Sequence, residues 1–457
     1  MLTMLPDALP PYVEVGLNGD VLAFALALAV TTPLLFGLLP ALQASRPDLR
    51  ALMSAGGRSG SATPARRTRT SLVVAEVALA MTVLVGAGLL IRSFAALTSQ
   101  SPGFEPERAM LAGVSLPVDK YPDGEPRQQF TDAFLTRVRE LPEVAAAGIS
   151  MPMVMVNDFN SVYEIEGAPA PPGGNPVTLF YAVSAGFFDA MQIPLVRGRY
   201  ITAEDRAGAR RVAVINQLLA DRHFPGLDPI GRRLRVGQGP DADAWREIVG
   251  VVGDTKHTSL IDEPRPQVYE PFTQHPYFPS FSLVVRTSGA EPTAVVPQIR
   301  SILRTMDPEL PLARVRTLEE VVDTTVRPQR FSTTLIGTFG AAALLLSAVG
   351  LYGVIAYTVG LRRQEFAIRI AHGASGRDIL RLVLSGAVTM ACAGVALGLA
   401  AAWLLRGMLE SLLFNVSAAD PVTYVTVAIV LMVTTVVASA VPALRATRVD
   451  PIAALRE

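Results

Sequence analysis

The chain lacks a second cysteine for covalent cross-linking and the motifs that metal chemistry and nucleotide hydrolysis would need. It has one cysteine, Cys392, set in an apolar run, so no intrachain disulfide can form. Its 40 Lys and Arg balance its 40 Asp and Glu, so no overall field draws nucleic acid or an acidic partner, and none is expected. No G-x-x-x-x-G-K-[ST] phosphate loop, H-E-x-x-H, paired-cysteine metal site or G-x-S-x-G elbow occurs. His223, His257, His275 and His372 are scattered without ligand spacing. Asp254, Lys256 and His257 gather after a strand-like run, where a turn is the simpler reading. No catalytic residue, metal or cofactor is therefore expected.

Long apolar runs are abundant. Half of the residues are hydrophobic and only 18% are charged, the balance of a membrane protein with a large wet part. A bilayer core takes about 20 mostly apolar residues in a helix. Five stretches qualify: 21–42, 72–97, 331–359, 379–405 and 422–444. Arginines cluster after the first, third and fifth, at Arg46 to Arg69, Arg362 to Arg377, and Arg445 to Arg456. A five-span topology puts all three clusters on one side, which the positive-inside rule makes cytoplasmic. Residues 98–330, and the first 20, then lie outside. Glu76 sits in the second span near its cytoplasmic end, within snorkelling or pairing reach of Arg69 at i−7.

A nine-residue stretch recurs. Residues 40–48 read PALQASRPD and residues 442–450 read PALRATRVD, each closing an apolar span. An end-of-unit signature at both places predicts that residues 1–45 are the last helix of a first membrane unit, followed by a whole second unit. The expected parts are a cytoplasmic linker over 46–71, a span over 72–97, an outer domain over 98–330, and a three-span domain over 331–457. A missing first unit or a second copy would complete the assembly.

The outer region carries α+β patterning. A strand near 110–116, an amphipathic helix over 128–141 and a strand near 144–150 form one arm. A strand at 282–286, a helix over 293–305 and a strand at 312–315 form another. Two strand–helix–strand arms predict a split ferredoxin-like subdomain, with an inserted subdomain over roughly 180–275. The inserted strands are placed at 211–215, 247–252 and 267–269, with Asn216 capping a short helix. The fold class is thus an α+β membrane protein with five transmembrane helices and a large extracytoplasmic domain.

Two segments stand out for function. The stretch LRRQEFAIRIAHGASGRDILRLVL, residues 361–384, reads as a short amphipathic cytoplasmic helix, with Glu365 and Arg369 at i, i+4 and Gly373 and Gly376 interrupting it before the next span. A plain topology signal would look the same. In the fourth span Gly386, Met390, Gly394, Gly398 and Ala402 repeat every four residues, a spacing that lets helices approach closely.

The cytoplasmic segment resembles the loop of FtsX/MacB-type permeases, an R-x-x-E-x-x-I-R-x-A-x-G-A-S pattern. Arg362, Glu365, Ile368, Arg369, Ala371, Gly373, Ala374 and Ser375 match, and His372 stands where the pattern has an apolar residue. Residues 183–205, 212–236 and 247–256 resemble the MacB-like periplasmic core domain. The duplicated ending and the span VVAEVALAMTVLVGAGLLIRSF (73–94) are most similar to the duplicated orphan permeases described from acidobacteria. The resemblance implies a non-catalytic permease of the cell inner membrane. In it, residues 362–375 would couple to a separate ABC ATPase and transmit its movement to the outer domain. The rival is an extracytoplasmic binding or scaffolding protein that never couples to ATP.

Overall fold

The structure is a computed structural model. It describes residues 63–447 except 153, 154, 156, 169–173, 238–243, 276 and 290, together with 19, 20, 22–24, 26, 27, 30 and 31. The expected span over 21–42 and the 40–48 copy of the repeat lie largely or wholly outside the described residues, as do 448–450 of the second copy. Two compact units emerge: Leu97–Arg327, and Met1–Ala96 with Pro328–Glu457.

The first unit is built on eleven strands. Its first arm is β1 (Ala109–Ser115), α2 (Glu125–Arg139) and β2 (Val144–Met151), α2 following the membrane helix α1 (Thr63–Thr98). The second arm is β10 (Ser280–Thr287), α5 (Val296–Met306) and β11 (Ala313–Thr317). These strands lie in the order β11-β1-β10-β2, every neighbouring pair antiparallel. That is the split ferredoxin-like arrangement, and the long insertion leaves it intact because the arms pair through β1–β10 and β2–β10. Phe130, Phe134, Leu135 and Val138 of α2, and Val296, Ile299 and Leu303 of α5, recur at helical spacing and are buried.

The insertion holds β3 (Asn160–Ile165), β4 (Val177–Val183), α3 (Phe187–Met191), β5 (Leu195–Gly198), β6 (Val212–Asn216), α4 (Gln217–His223), β7 (Arg233–Val236), β8 (Arg246–Val252) and β9 (Gln267–Pro271). Six of its strands close a ring, β4-β3-β7-β8-β6-β9 and back to β4, the last pair parallel. Closure leaves these six strands without a free edge. The inserted body thus begins at Asn160, not near residue 180. Strands β4, β5 and β7 escape sequence patterning for physical reasons. Six of the seven β4 residues are buried, so β4 does not alternate, while β5 is exposed throughout and β7 is four residues long. Asn216 caps α4 through the Leu219 amide. Helix α3 packs on β2 at Gly148, where an added Cβ would stand 2.6 Å from the Phe187 nitrogen.

The second unit is helical. Four described helices are long and apolar enough to cross a membrane: α1 over Thr70–Thr98, α6 (Leu318–Leu361), α8 (Gly376–Leu404) and α10 (Pro421–Ala446). Helix α6 begins thirteen residues before the expected span and is continuous through Pro328. Val73, Val77, Met81, Val85 and Leu89 of α1 pack with Leu351, Ile355 and Val359 of α6, and with residues of α8 and α10. The end of α1 is tied to the segment before α10. Ser93 Oγ accepts from the Phe414 amide at 2.7 Å, and Arg92 pairs with Asp420, which N-caps α10 through the Thr423 amide at 2.8 Å.

Candidate functional site

The chain between α6 and α8 folds as α7 (Arg363–Ala371) and a tight turn. Phe366 and Ala367 are fully buried, and Ile370 also packs on the bundle. The opposite face carries Glu365, Ile368, Arg369 and His372 at i, i+3, i+4 and i+7, one helical stripe. Ile368 is 47% exposed at its centre.

Three of the motif residues form one ionic cluster. Arg362 grips Glu365 with Nε at 2.8 Å and a terminal nitrogen at 2.9 Å, and Arg369 donates to the same carboxylate at 2.8 Å. The Arg362 hydrogen bonds, then the charges of both arginines, hold the Glu365 carboxyl below the usual glutamate range. The Arg362 guanidinium also lies 5.6 Å from the centre of the Phe366 ring. Sequence spacing pointed to the Glu365–Arg369 pair; Arg362, at the N-cap, is the stronger partner because its planar fork meets both carboxylate oxygens.

Gly373, Ala374 and Ser375 shape the turn. Gly373 has φ of 91°, its amide donates to Ile370 O at 2.9 Å, and the Ala374 amide donates to Arg369 O at 3.0 Å. This is the Schellman arrangement that ends a helix on a left-handed residue. Ser375 then starts α8, donating through its amide and hydroxyl to Asp378 at 2.9 and 2.6 Å. Gly376 therefore opens the next helix and does not interrupt one. His372 Nδ1 lies 2.8 Å from Ile368 O, at the negative end of α7.

The small residues of α8 face α1. A Cβ on Gly394 would stand 2.7 Å from Val77 Cβ, and one on Gly398 would stand 2.5 Å from Met81 Cβ. Ala402, one turn on, is buried. Gly386 has open space instead, so the four-residue repeat divides between a packed and an open part. Val77 and Met81 carry no sequence mark as partners; only their depth in an apolar run was visible. Glu76 faces Gly350 of α6, and the side chain of Arg69 lies outside the described residues.

The polar groups of the outer unit stand in local contacts. Asp254 accepts from Asn216 Nδ2 at 2.7 Å and from the Leu218 amide at 2.9 Å, buttressing α4. His257 lies 3.6 Å from Asp262 and 3.8 Å from Asp158. A buried cluster unmarked in the sequence joins Glu270 Oε2 to Arg246 Nε at 2.6 Å and His275 Nε2 at 2.9 Å. Among the described residues no group of three or more His, Cys, Asp or Glu is placed to hold a metal.

Four apolar membrane-crossing helices and a separate α+β unit define a membrane protein with an extracytoplasmic domain. The MacB-like periplasmic core domain family matches residues 70–302, about half of the chain, and the FtsX-like permease C-terminal family matches residues 337–451. The chain belongs to the MacB-like, FtsX-type permease family. It is 29% identical over 288 residues to the macrolide export ATP-binding/permease protein MacB of Azoarcus sp. (strain BH72), covering 60% of this chain and 42% of that protein. It is 26% identical over 299 residues to the pyoverdine export ATP-binding/permease protein PvdT of Pseudomonas putida (strain KT2440), covering 62% and 44%. The matches span less than half the length of these relatives. The periplasmic region of MacB from Actinobacillus actinomycetemcomitans aligns with a TM-score of 0.32 at 13% identity, over 50% of this chain and 95% of that one. At that score the structural likeness adds nothing to the assignment.

Proposed function

We propose that this chain is a non-catalytic permease subunit of an ABC-type transporter in the cell inner membrane. On this reading a separate ATPase docks on α7, and its movement passes through the spans to the extracytoplasmic domain, in export or other envelope-directed work. On the same reading a second membrane unit or a second copy of the chain would complete the bundle. The observation that carries the proposal is the outer stripe of α7. It sets one exposed apolar residue, Ile368, beside a carboxylate clamped by two arginines, on a helix whose other face is locked into the bundle. Such a face is rigid, charged and apolar at its centre, which suits a docking surface.

The test is partner capture and ATPase stimulation for the parent chain, Glu365→Arg and Arg369→Glu at matched membrane levels. Both variants should lose binding or stimulation. An exposed pair of this kind contributes only about 0.3–0.5 kcal/mol to stability, so insertion should be unaffected. Unchanged binding and stimulation in both would reduce the loop to a topology signal and favour the ATPase-independent scaffold.

A further inference from the structure

Between α8 and α10 the chain makes a short helix, α9 (Arg406–Glu410), with apolar residues on two sides. Leu409, Leu413 and Val416 point inward and pack on the bundle core. Leu404, Met408 and Leu412, at i, i+4 and i+8, point the other way and are 74%, 74% and 60% exposed. Trp403 beside them is also exposed, with the Arg406 guanidinium 4.3 Å from its ring centre. The outward stripe continues a membrane-facing surface, since Leu397, seven residues before Leu404 on α8, is exposed as well. The segment lies at the outer-domain end of α1, because Phe414 bonds to Ser93 and Asp420 pairs with Arg92.

We infer that Trp403–Leu412 lies in the interfacial layer of the extracytoplasmic leaflet, with lipid as the partner of its outward stripe. The chemistry fits that layer on three counts. The stripe is too apolar for a water-facing loop, and it prolongs the apolar face of a spanning helix without a break. Trp is the residue of the headgroup level, apolar over most of its ring with one polar N–H. Arg406 holds its charge over that ring and is itself exposed, as suits a cation at a lipid boundary. The two-sided segment then acts as a float. Its inner stripe fixes the α8–α10 connection to the bundle, and its outer stripe fixes the depth of the bundle in the bilayer.

The chain has two tryptophans, Trp245 and Trp403, so Trp245→Phe isolates the reporter in the full-length protein. In bilayers made with brominated lipids, Trp403 emission should be quenched most by bromines near the carbonyl end of the acyl chains. It should be quenched less by bromines near the bilayer centre, and little by acrylamide in water. Should Trp245→Phe fail to fold, the difference between the parent and Trp403→Phe reports the same emission. Strong acrylamide quenching with no effect of bromolipid would place the segment in water and overturn the inference. Protection from both quenchers would mean that protein covers the stripe, which also overturns it.

Discussion

Gly398 of α8 lies directly against Met81 of α1: a Cβ in place of its hydrogen would stand 2.5 Å from the Met81 Cβ and 2.6 Å from the Ala78 carbonyl oxygen. The nearer atoms belong to a Cβ and a backbone, neither of which can swing away. Gly398→Val should therefore force the helices apart and destabilise the bundle by about 1–3 kcal/mol, the usual cost of overpacking. Gly386→Val, at a position with nothing within 4 Å, is the control and should be nearly neutral. Thermal unfolding of both variants in detergent makes the comparison. Equal losses, or none, would mean that α1 and α8 do not meet through Gly398.

The outer unit should fold by itself. Its two core clusters draw on strands and helices of both arms and of the ring. Residues 97–327 made alone should unfold cooperatively, with Trp245 as the single tryptophan reporter. Within them, Gly148→Ala drives a methyl toward the Phe187 nitrogen and should cost about 1–3 kcal/mol, because backbone must move. A urea titration of both proteins reads the difference. A midpoint unchanged by the methyl would place α3 away from β2.

The acid limb of the outer unit's stability should depend on Asp307. Its nearly buried side chain accepts from Lys120 Nζ at 2.9 Å and Tyr121 Oη at 2.8 Å, and these bonds hold its carboxyl below the usual aspartate range. A depressed carboxylate stabilises the fold above its unfolded value, and that contribution disappears as pH falls through the folded value. Asp307→Asn should lower stability at neutral pH and flatten the decline on acidification. At the alkaline end, burial and then the Asp307 bond push Tyr121 up to about 12, so stability is lost as pH rises from the ordinary tyrosine value toward that one. Urea midpoints across pH for the parent, Asp307→Asn and Tyr121→Phe decide it; parallel curves would remove Asp307 from the account.

Orientation is open to direct labelling. In a Cys392→Ser background, single cysteines at Asn175 and Ser417 should react with an impermeant thiol reagent outside intact cells, and one at Ser375 only after permeabilisation. Reaction at position 375 from outside would invert the topology and remove α7 from any cytoplasmic partner.

Much of the architecture could be read from residue order alone because the signals are local. Apolar length marks the spans, and α2 repeats Phe130, Phe134 and Val138 at a helical interval that needs no partner to be recognised. The stop at Gly373 is equally local, since a left-handed position after a short helix favours glycine whatever surrounds it. The two arms also announce themselves, each being one strand–helix–strand unit.

Tertiary structure decided what depends on distant residues. The ring closes through β4 and β9, whose register of Leu179 with Gln267 joins segments 88 positions apart, and a strand buried on both faces shows no alternation to reveal it. Likewise the sequence marks Gly394 and Gly398 as small but not as the seats of Val77 and Met81. Glu365 pairs visibly with Arg369 at helical spacing, yet its main partner, Arg362, lies in the non-helical N-cap, where periodicity does not apply. Spacing along one helix is a property of the chain; which helix or strand fills the facing space is set only when the chain has packed.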